Sequence, residues 1–168
     1  MGKESHVSRD LDDIDWRLLR ALSADGRQTQ RALARLVGLS EPAVRDRVQR
    51  LEHDGVITGY HAALHPEPVS AATAAFVALR FESGALAKAR VNEALRAEPC
   101  VLEVHEVAGE DCYWIKLRVA STGALADTLD RIRAMPTVRS TSTTIVLRTV
   151  FERPLLSTPP ADADPAQP

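Results

Sequence analysis

Two helical stripes separated by only three residues, Gly38-Leu39-Ser40, decide what the first third of this chain can be. Thr29 can cap the first helix, whose inner stripe is expected to be Ala32, Leu33, Leu36 and Val37. Gly38 stops it, because glycine accepts the left-handed backbone of a tight turn, and Leu39 plugs that turn into the core. Ser40 then caps a further helix with Pro42 in its first turn, where a missing N–H costs little. Val44, Val48 and Leu51 face inward at i, i+4 and i+7, and Gly55 closes the helix. A short helix, a three-residue glycine turn and a second helix make a helix-turn-helix.

An earlier helix precedes the pair. Asp12 is a good N-cap, and Asp15 sits at the third helical position, where a carboxylate favours the positive helix end. Leu11 and Trp16 fall at the positions of a hydrophobic staple. Ile14, Leu18, Leu19 and Leu22 repeat at helical spacing until Asp25-Gly26.

Charge separates this region from the rest. From Arg27 to Arg50, six arginines stand against two acidic residues; from Glu82 to Pro136, seven basic residues stand against nine acidic ones. The whole chain carries only −2, so the distribution informs where the total does not. The outer face of the third helix is expected to carry Arg45, Arg47, Gln49 and Arg50, with Ser40, Glu41 and Ala43 at its leading end. Guanidinium groups reach both phosphates and guanine edges, as a major-groove helix requires. Any surface helix can carry a solvated charged face; the turn, the short preceding helix and the concentration of arginine favour double-stranded DNA as the partner.

After a hinge at 61–70 containing Pro66 and Pro68, the periodicity changes. Strands are expected at 73–82, 101–107, 113–119 and 138–151, and helices at 85–97 and around Leu125, Leu129 and Ile132. The order β-α-β-β-α-β is ferredoxin-like, with both helices on one face of an antiparallel sheet. In the last strand Val146 and Val150 alternate with Ile145, Leu147 and Phe151, so neither face is polar enough for water. An apolar sheet face without a helix implies a partner subunit, and two sheets packed face to face are the economical solution.

The expected organisation is a flexible start at 1–10, a helix-turn-helix domain at 11–60, the hinge, a ferredoxin-like domain at 71–153 and a disordered, proline-rich tail at 154–168. The fold class is α+β. No apolar stretch approaches the roughly 20 residues that span a bilayer, and the polar start lacks the apolar core of a signal peptide. The chain therefore reads as cytoplasmic, with no membrane partner. Cys100 and Cys112 form no CxxC, and no histidine pair has metal-ligand spacing, so neither a metal nor a cofactor is expected.

Several runs resemble the Lrp/AsnC regulators. They are Leu11-Asp-Asp-Ile-Asp-Trp-Arg-Leu-Leu-Arg-Ala-Leu, Asp25-Gly-Arg, Leu33-Ala-Arg-Leu-Val-Gly-Leu-Ser40 and Arg47-Val-Gln-Arg-Leu-Glu-His-Asp-Gly-Val-Ile-Thr-Gly-Tyr60. Val107-Ala-Gly-Glu-Asp-Cys-Tyr-Trp-Ile-Lys-Leu-Arg-Val119 and Met135-Pro-Thr-Val-Arg-Ser-Thr-Ser-Thr-Thr-Ile-Val-Leu-Arg148 resemble that family's regulatory domain. The likeness runs over roughly residues 11 to 151. It implies a winged helix-turn-helix, with Val56 to Tyr60 starting the wing and a strand, followed by a RAM-type βαββαβ domain. It implies a transcriptional regulator, a homodimer assembling into a higher homo-oligomer such as an octamer, and an effector, often an amino acid, held between dimers near the turn.

The turn here is Gly109-Glu110-Asp111-Cys112-Tyr113, with Cys112 where the family often has a second aspartate. Glu110 or Asp111 can meet an ammonium; turn N–H groups and the hydroxyls of Thr141, Ser142 and Thr143 can meet a carboxylate. An ordinary acidic hairpin and a threonine-rich strand have the same composition. Two other classes remain: a sensing module without DNA binding, and an enzyme. Some haem-pathway decarboxylases resemble this two-part architecture and use His and Arg on their substrate; His105 is the only histidine of the second part. No nucleophile–base pair or phosphate loop appears, so no catalytic residue is assigned.

Overall fold

The computed structural model describes residues 11–153; the expectations for 1–10 and 154–168 lie outside the described residues. The chain divides into two compact units, the second being Ala63–Val150.

The first unit holds α1 (Asp13–Ala24), α2 (Gln30–Val37) and α3 (Glu41–His53). Local chemistry sets each start. The Asp12 side chain accepts from the Asp15 N–H while Asp15 reaches back to the Asp12 N–H, a reciprocal capping box. Thr29 and Ser40 cap α2 and α3 by accepting from Ala32 and Ala43 N–H. Gly38 ends α2 at φ 74°, in the left-handed region. Leu18, Leu33, Val37, Val44 and Val48 make the core, with Leu39 packed against it. The inner stripe of α2 differs from expectation. Leu33, Ala34 and Val37 are buried, whereas Ala32 and Leu36 are exposed, because α2 turns its Ala34 side towards α1 and α3.

The expected strand at Val56–Tyr60 is absent among the described residues. The N–H groups of Val56 and Ile57 both donate to the Leu51 carbonyl, at 2.9 and 3.0 Å, which ties them to the helix end and leaves them no ladder partner.

The second unit holds β1 (Thr73–Phe81), α4 (Ala85–Ala97), β2 (Val101–Glu106), β3 (Tyr113–Val119), α5 (Thr122–Arg133) and β4 (Val138–Ile145). The sheet is antiparallel in the order β2-β3-β1-β4. Residues directly opposite in a ladder share a face. Val77 lies opposite Ile115 and Thr143, and Leu79 opposite Tyr113 and Thr141; these define the face packed against Val91, Leu95, Leu125, Leu129 and Ile132 of the helices. The other face carries Phe76, Ala78, Trp114, Lys116 and Ser142, with Phe76 42% and Trp114 52% exposed. β4 stops at Ile145, short of the expected 151. Ile145 pairs with Ala75 and Val146 donates to Ala74, near the start of β1; beyond that, β4 has no ladder partner.

Candidate nucleic-acid interface and ligand turn

Successive residues of an α-helix turn by about 100°, so Arg45 and Arg47 point to nearly opposite sides of α3. The structure divides the expected DNA-facing set accordingly. Arg45 and Gln49 are exposed, one turn apart, and Arg45 has no ion-pair partner among the described residues. Glu41 is exposed at the leading end, Ala43 is partly buried, and the Ser40 hydroxyl is occupied by its cap.

Arg47 does not belong with Arg45, and the expectation that both lie on the outer face is corrected. Its guanidinium reaches α1, 2.6 Å from Asp12 Oδ2 and 2.8 Å from Asp15 Oδ1. Arg50, one turn further along the same flank, adds a looser contact of 3.4 Å to Asp15 and stays exposed. Two further arginines join the exposed cations: Arg31 and Arg35 stand exposed and one turn apart on α2, with no ion-pair partner among the described residues. The charge count contained them, but it did not place them on a common stripe. In helix-turn-helix complexes the first helix of the pair crosses the phosphate backbone.

The cluster at the start of α1 has a pH signature. Burial pushes the Asp12 carboxyl up, but the Asp15 N–H and the Arg47 guanidinium together hold it below its ordinary 3.8. A carboxyl with a depressed folded pKa stabilises the fold above its unfolded pKa and loses that effect as pH falls through the folded value. The α1–α3 tie is therefore expected to be complete above pH 3.8 and to weaken in stronger acid. Asp12→Asn keeps a good N-cap while removing the charge. Thermal melts should show the variant below wild type at neutral pH, with the gap closing as the pH falls past that value.

At the other unit's turn, Gly109 has φ 145°, a conformation that side chains rarely adopt. Both carboxylates beside it are engaged by a residue that sequence reading missed. Arg80 of β1 donates to the Glu110 carbonyl at 2.7 Å and to its Oε2 at 2.9 Å, and lies 3.5 Å from Asp111 Oδ1. The Cys112 N–H is committed to the Leu79 carbonyl, and its thiol points at the Phe81 carbonyl. Tyr113 is buried, 4.9 Å edge-on from the Phe81 ring, and donates its hydroxyl to Asn92 Oδ1 at 2.6 Å. It belongs to the floor of a groove of about 500 Å³ between α4 and β2, rather than to the exposed turn.

The expected hydroxyl row is split by strand alternation. Thr141 and Thr143 lie on the helix-covered face, Thr141 accepting from Arg133 Nε at 2.9 Å. Ser142 lies on the open face opposite Ala78, and Ser140 is opposite Arg80. The serines, rather than the threonines, therefore share a face with Arg80. His105 is exposed on the open face opposite Trp114, 3.1 Å from Glu103.

Over residues 11–58 the chain matches the family model for a winged helix-turn-helix DNA-binding domain, and over 74–156 that for the Lrp/AsnC ligand binding domain. It is 45% identical over 144 residues to the HTH-type transcriptional regulator LrpA of Mycobacterium tuberculosis, covering 84% of this chain and 93% of that protein. A solved feast or famine regulatory protein from M. tuberculosis, complexed with L-methionine, is 42% identical with a TM-score of 0.78, over 88% of this chain and 99% of that one. A transcriptional regulator from Neisseria meningitidis, also complexed with L-methionine, is 26% identical with a TM-score of 0.80, over 85% and 94%.

Proposed function

The chain belongs to the Lrp/AsnC family of transcriptional regulators, and from that premise we propose how it works: α3 reads double-stranded DNA, and the Gly109 turn reports an amino acid to it through assembly. It is a DNA-binding regulator rather than an enzyme, and its place is the cytoplasm; among the described residues no helix is long and apolar enough to cross a membrane. The observation that carries the reading is the pair Arg45 and Gln49, exposed one turn apart on the second helix of a tight helix-turn-helix. Arg31 and Arg35 on α2 supply phosphate contacts. The test is selection from a randomised duplex pool followed by gel shift. Enrichment of one sequence supports the reading, and binding that ignores sequence sinks it.

The working particle is a homodimer joined through the open sheet face around Phe76 and Trp114, with dimers assembling further. The effector is a zwitterion. Its ammonium competes with Arg80 for Glu110 and Asp111, and its carboxylate takes the released Arg80 with Ser140 or Ser142. L-methionine is the first probe, because two similar structures hold it. At tenfold over its Kd, linkage gives about 1.4 kcal/mol, or a rise in Tm of about 3–6 °C. That rise is expected in wild type and should vanish in Glu110→Gln/Asp111→Asn. An equal rise in both proteins would put the ligand elsewhere.

A further inference from the structure

The carboxylate of Asp15 is nearly inaccessible, its side chain 3% exposed, and it holds arginines from a helix more than thirty residues away. Arg47 Nη1 lies 2.8 Å from Asp15 Oδ1 and 2.6 Å from Asp12 Oδ2, so one guanidinium spans both carboxylates of the α1 capping box. The opposite charges balance, and the positive end of α1 favours the carboxylates. Removing one partner of a buried pair leaves the other uncompensated, so the tie resists being broken.

Beside the looser Arg50–Asp15 contact of 3.4 Å and the Tyr60 hydroxyl that donates to Glu52, the grip on α3 is apolar: Val44, Val48 and Leu51. Such contacts are non-directional and hold a helix down without strongly fixing its roll about its own axis. Charge-assisted hydrogen bonds from the Arg47 Nη1 to two carboxylates are directional. With side-chain tips about 5–6 Å from the axis, a roll of about 10° moves them by about 1 Å, enough to break a hydrogen bond to a base edge.

We infer that Asp15 is a positioning residue for DNA recognition: together with Asp12 it clamps Arg47, sets the roll of α3 so that Arg45 and Gln49 meet the bases, and removes Arg47 from the DNA-contacting set. The inference rests on the DNA-reading role proposed above. It assigns the arginine flank facing α1 to specificity and leaves affinity for any DNA to the exposed cations. The opposite arrangement, in which Asp15 merely masks a DNA-contacting Arg47, gives the opposite sign when the carboxylate is neutralised.

The experiment measures Kd by fluorescence anisotropy over a range of salt for Asp15→Asn, Arg47→Gln and the double variant in the full chain. The probes are a duplex selected from a random pool by wild type and a scrambled duplex of the same length. Each single variant is expected to lose roughly tenfold or more in preference for the selected duplex. Binding to the scrambled duplex and the salt slope should stay at wild-type values. The double variant should lose less than the two single losses combined, because both singles remove the Asp15–Arg47 bond. Tighter binding by Asp15→Asn would overturn the inference, as would a drop of about one in the salt slope of Arg47→Gln, the mark of a lost phosphate contact. Should Asp15→Asn not fold, Arg47→Gln carries the test, since it removes both Nη1 bonds and leaves the Asp12–Asp15 capping box in place: undiminished preference in it overturns the inference. If wild type itself enriches no sequence, the DNA reading fails and the positioning role falls with it; wild-type enrichment with unaffected variants refutes the positioning role alone.

Discussion

Phe76→Glu combined with Trp114→Glu is expected to turn the proposed dimer into monomers at micromolar concentration. Phe76 lies opposite Lys116 and Trp114 opposite Ala78, so both rings stand on the open face of two central strands, about half exposed in the single protomer. Around them are Lys116, Glu103 and His105, joined by the Lys116–Glu103 ion pair and the His105–Glu103 hydrogen bond, each 3.1 Å. An aromatic centre with a charged rim is the anatomy of an interface. In a two-fold dimer each substitution acts twice. Losing about half of each ring's burial costs on the order of 1–2 kcal/mol per site, and burying unpaired carboxylates adds several more. The total of about 5 kcal/mol or above raises Kd more than a thousandfold. Light scattering on wild type and variant measures it, with circular dichroism to establish that the variant is folded. A variant that stays dimeric, or a wild type that is already monomeric, would remove this face from the assembly.

The sequence already contained the parts of the fold whose causes are local. The caps at Asp12, Thr29 and Ser40, and the left-handed Gly38, follow from side chains within three residues of the groups they serve. The alternation of Tyr113, Ile115, Leu117 and Val119 predicts a strand with one covered face, and all four are buried. Where the cause is distant, reading the sequence alone fell short. Nothing near Arg47 says that its flank of α3 faces α1; its partners lie 32 and 35 residues away. Arg80 stands 30 residues from Glu110, and β1 and β3 must pair before the two meet. The apolar alternation beyond Ile145 looks like continued strand, yet Leu147 is 99% exposed because no neighbouring strand extends that far in one protomer. The split of Thr141 and Thr143 from Ser142 follows from the two-residue period of a strand, which divides the run between two faces where its composition shows only one row of hydroxyls.

Arg45→Ala is expected to lower affinity for the selected duplex by roughly 1–3 kcal/mol, about 5- to 150-fold. Its guanidinium is exposed, has no ion-pair partner among the described residues, and sits early on α3, the end that enters the groove in helix-turn-helix complexes. No buried contact is lost, so the thermal melt should match wild type, unlike that of Arg47→Gln. How the loss divides identifies the contact. A bidentate bond to a guanine edge relaxes preference at one position of the site and spares binding to scrambled DNA. A phosphate contact weakens selected and scrambled duplexes alike and reduces the salt slope by about one. Gln49, one turn on, should behave as its neighbour does at an adjacent position, since amide side chains pair with adenine in the same groove. Fluorescence anisotropy against the selected duplex and its single-base variants separates these results. Unchanged affinity in both Arg45→Ala and Gln49→Ala would mean that the outward face of α3 is a solvated surface, and that DNA is read by another part of the chain.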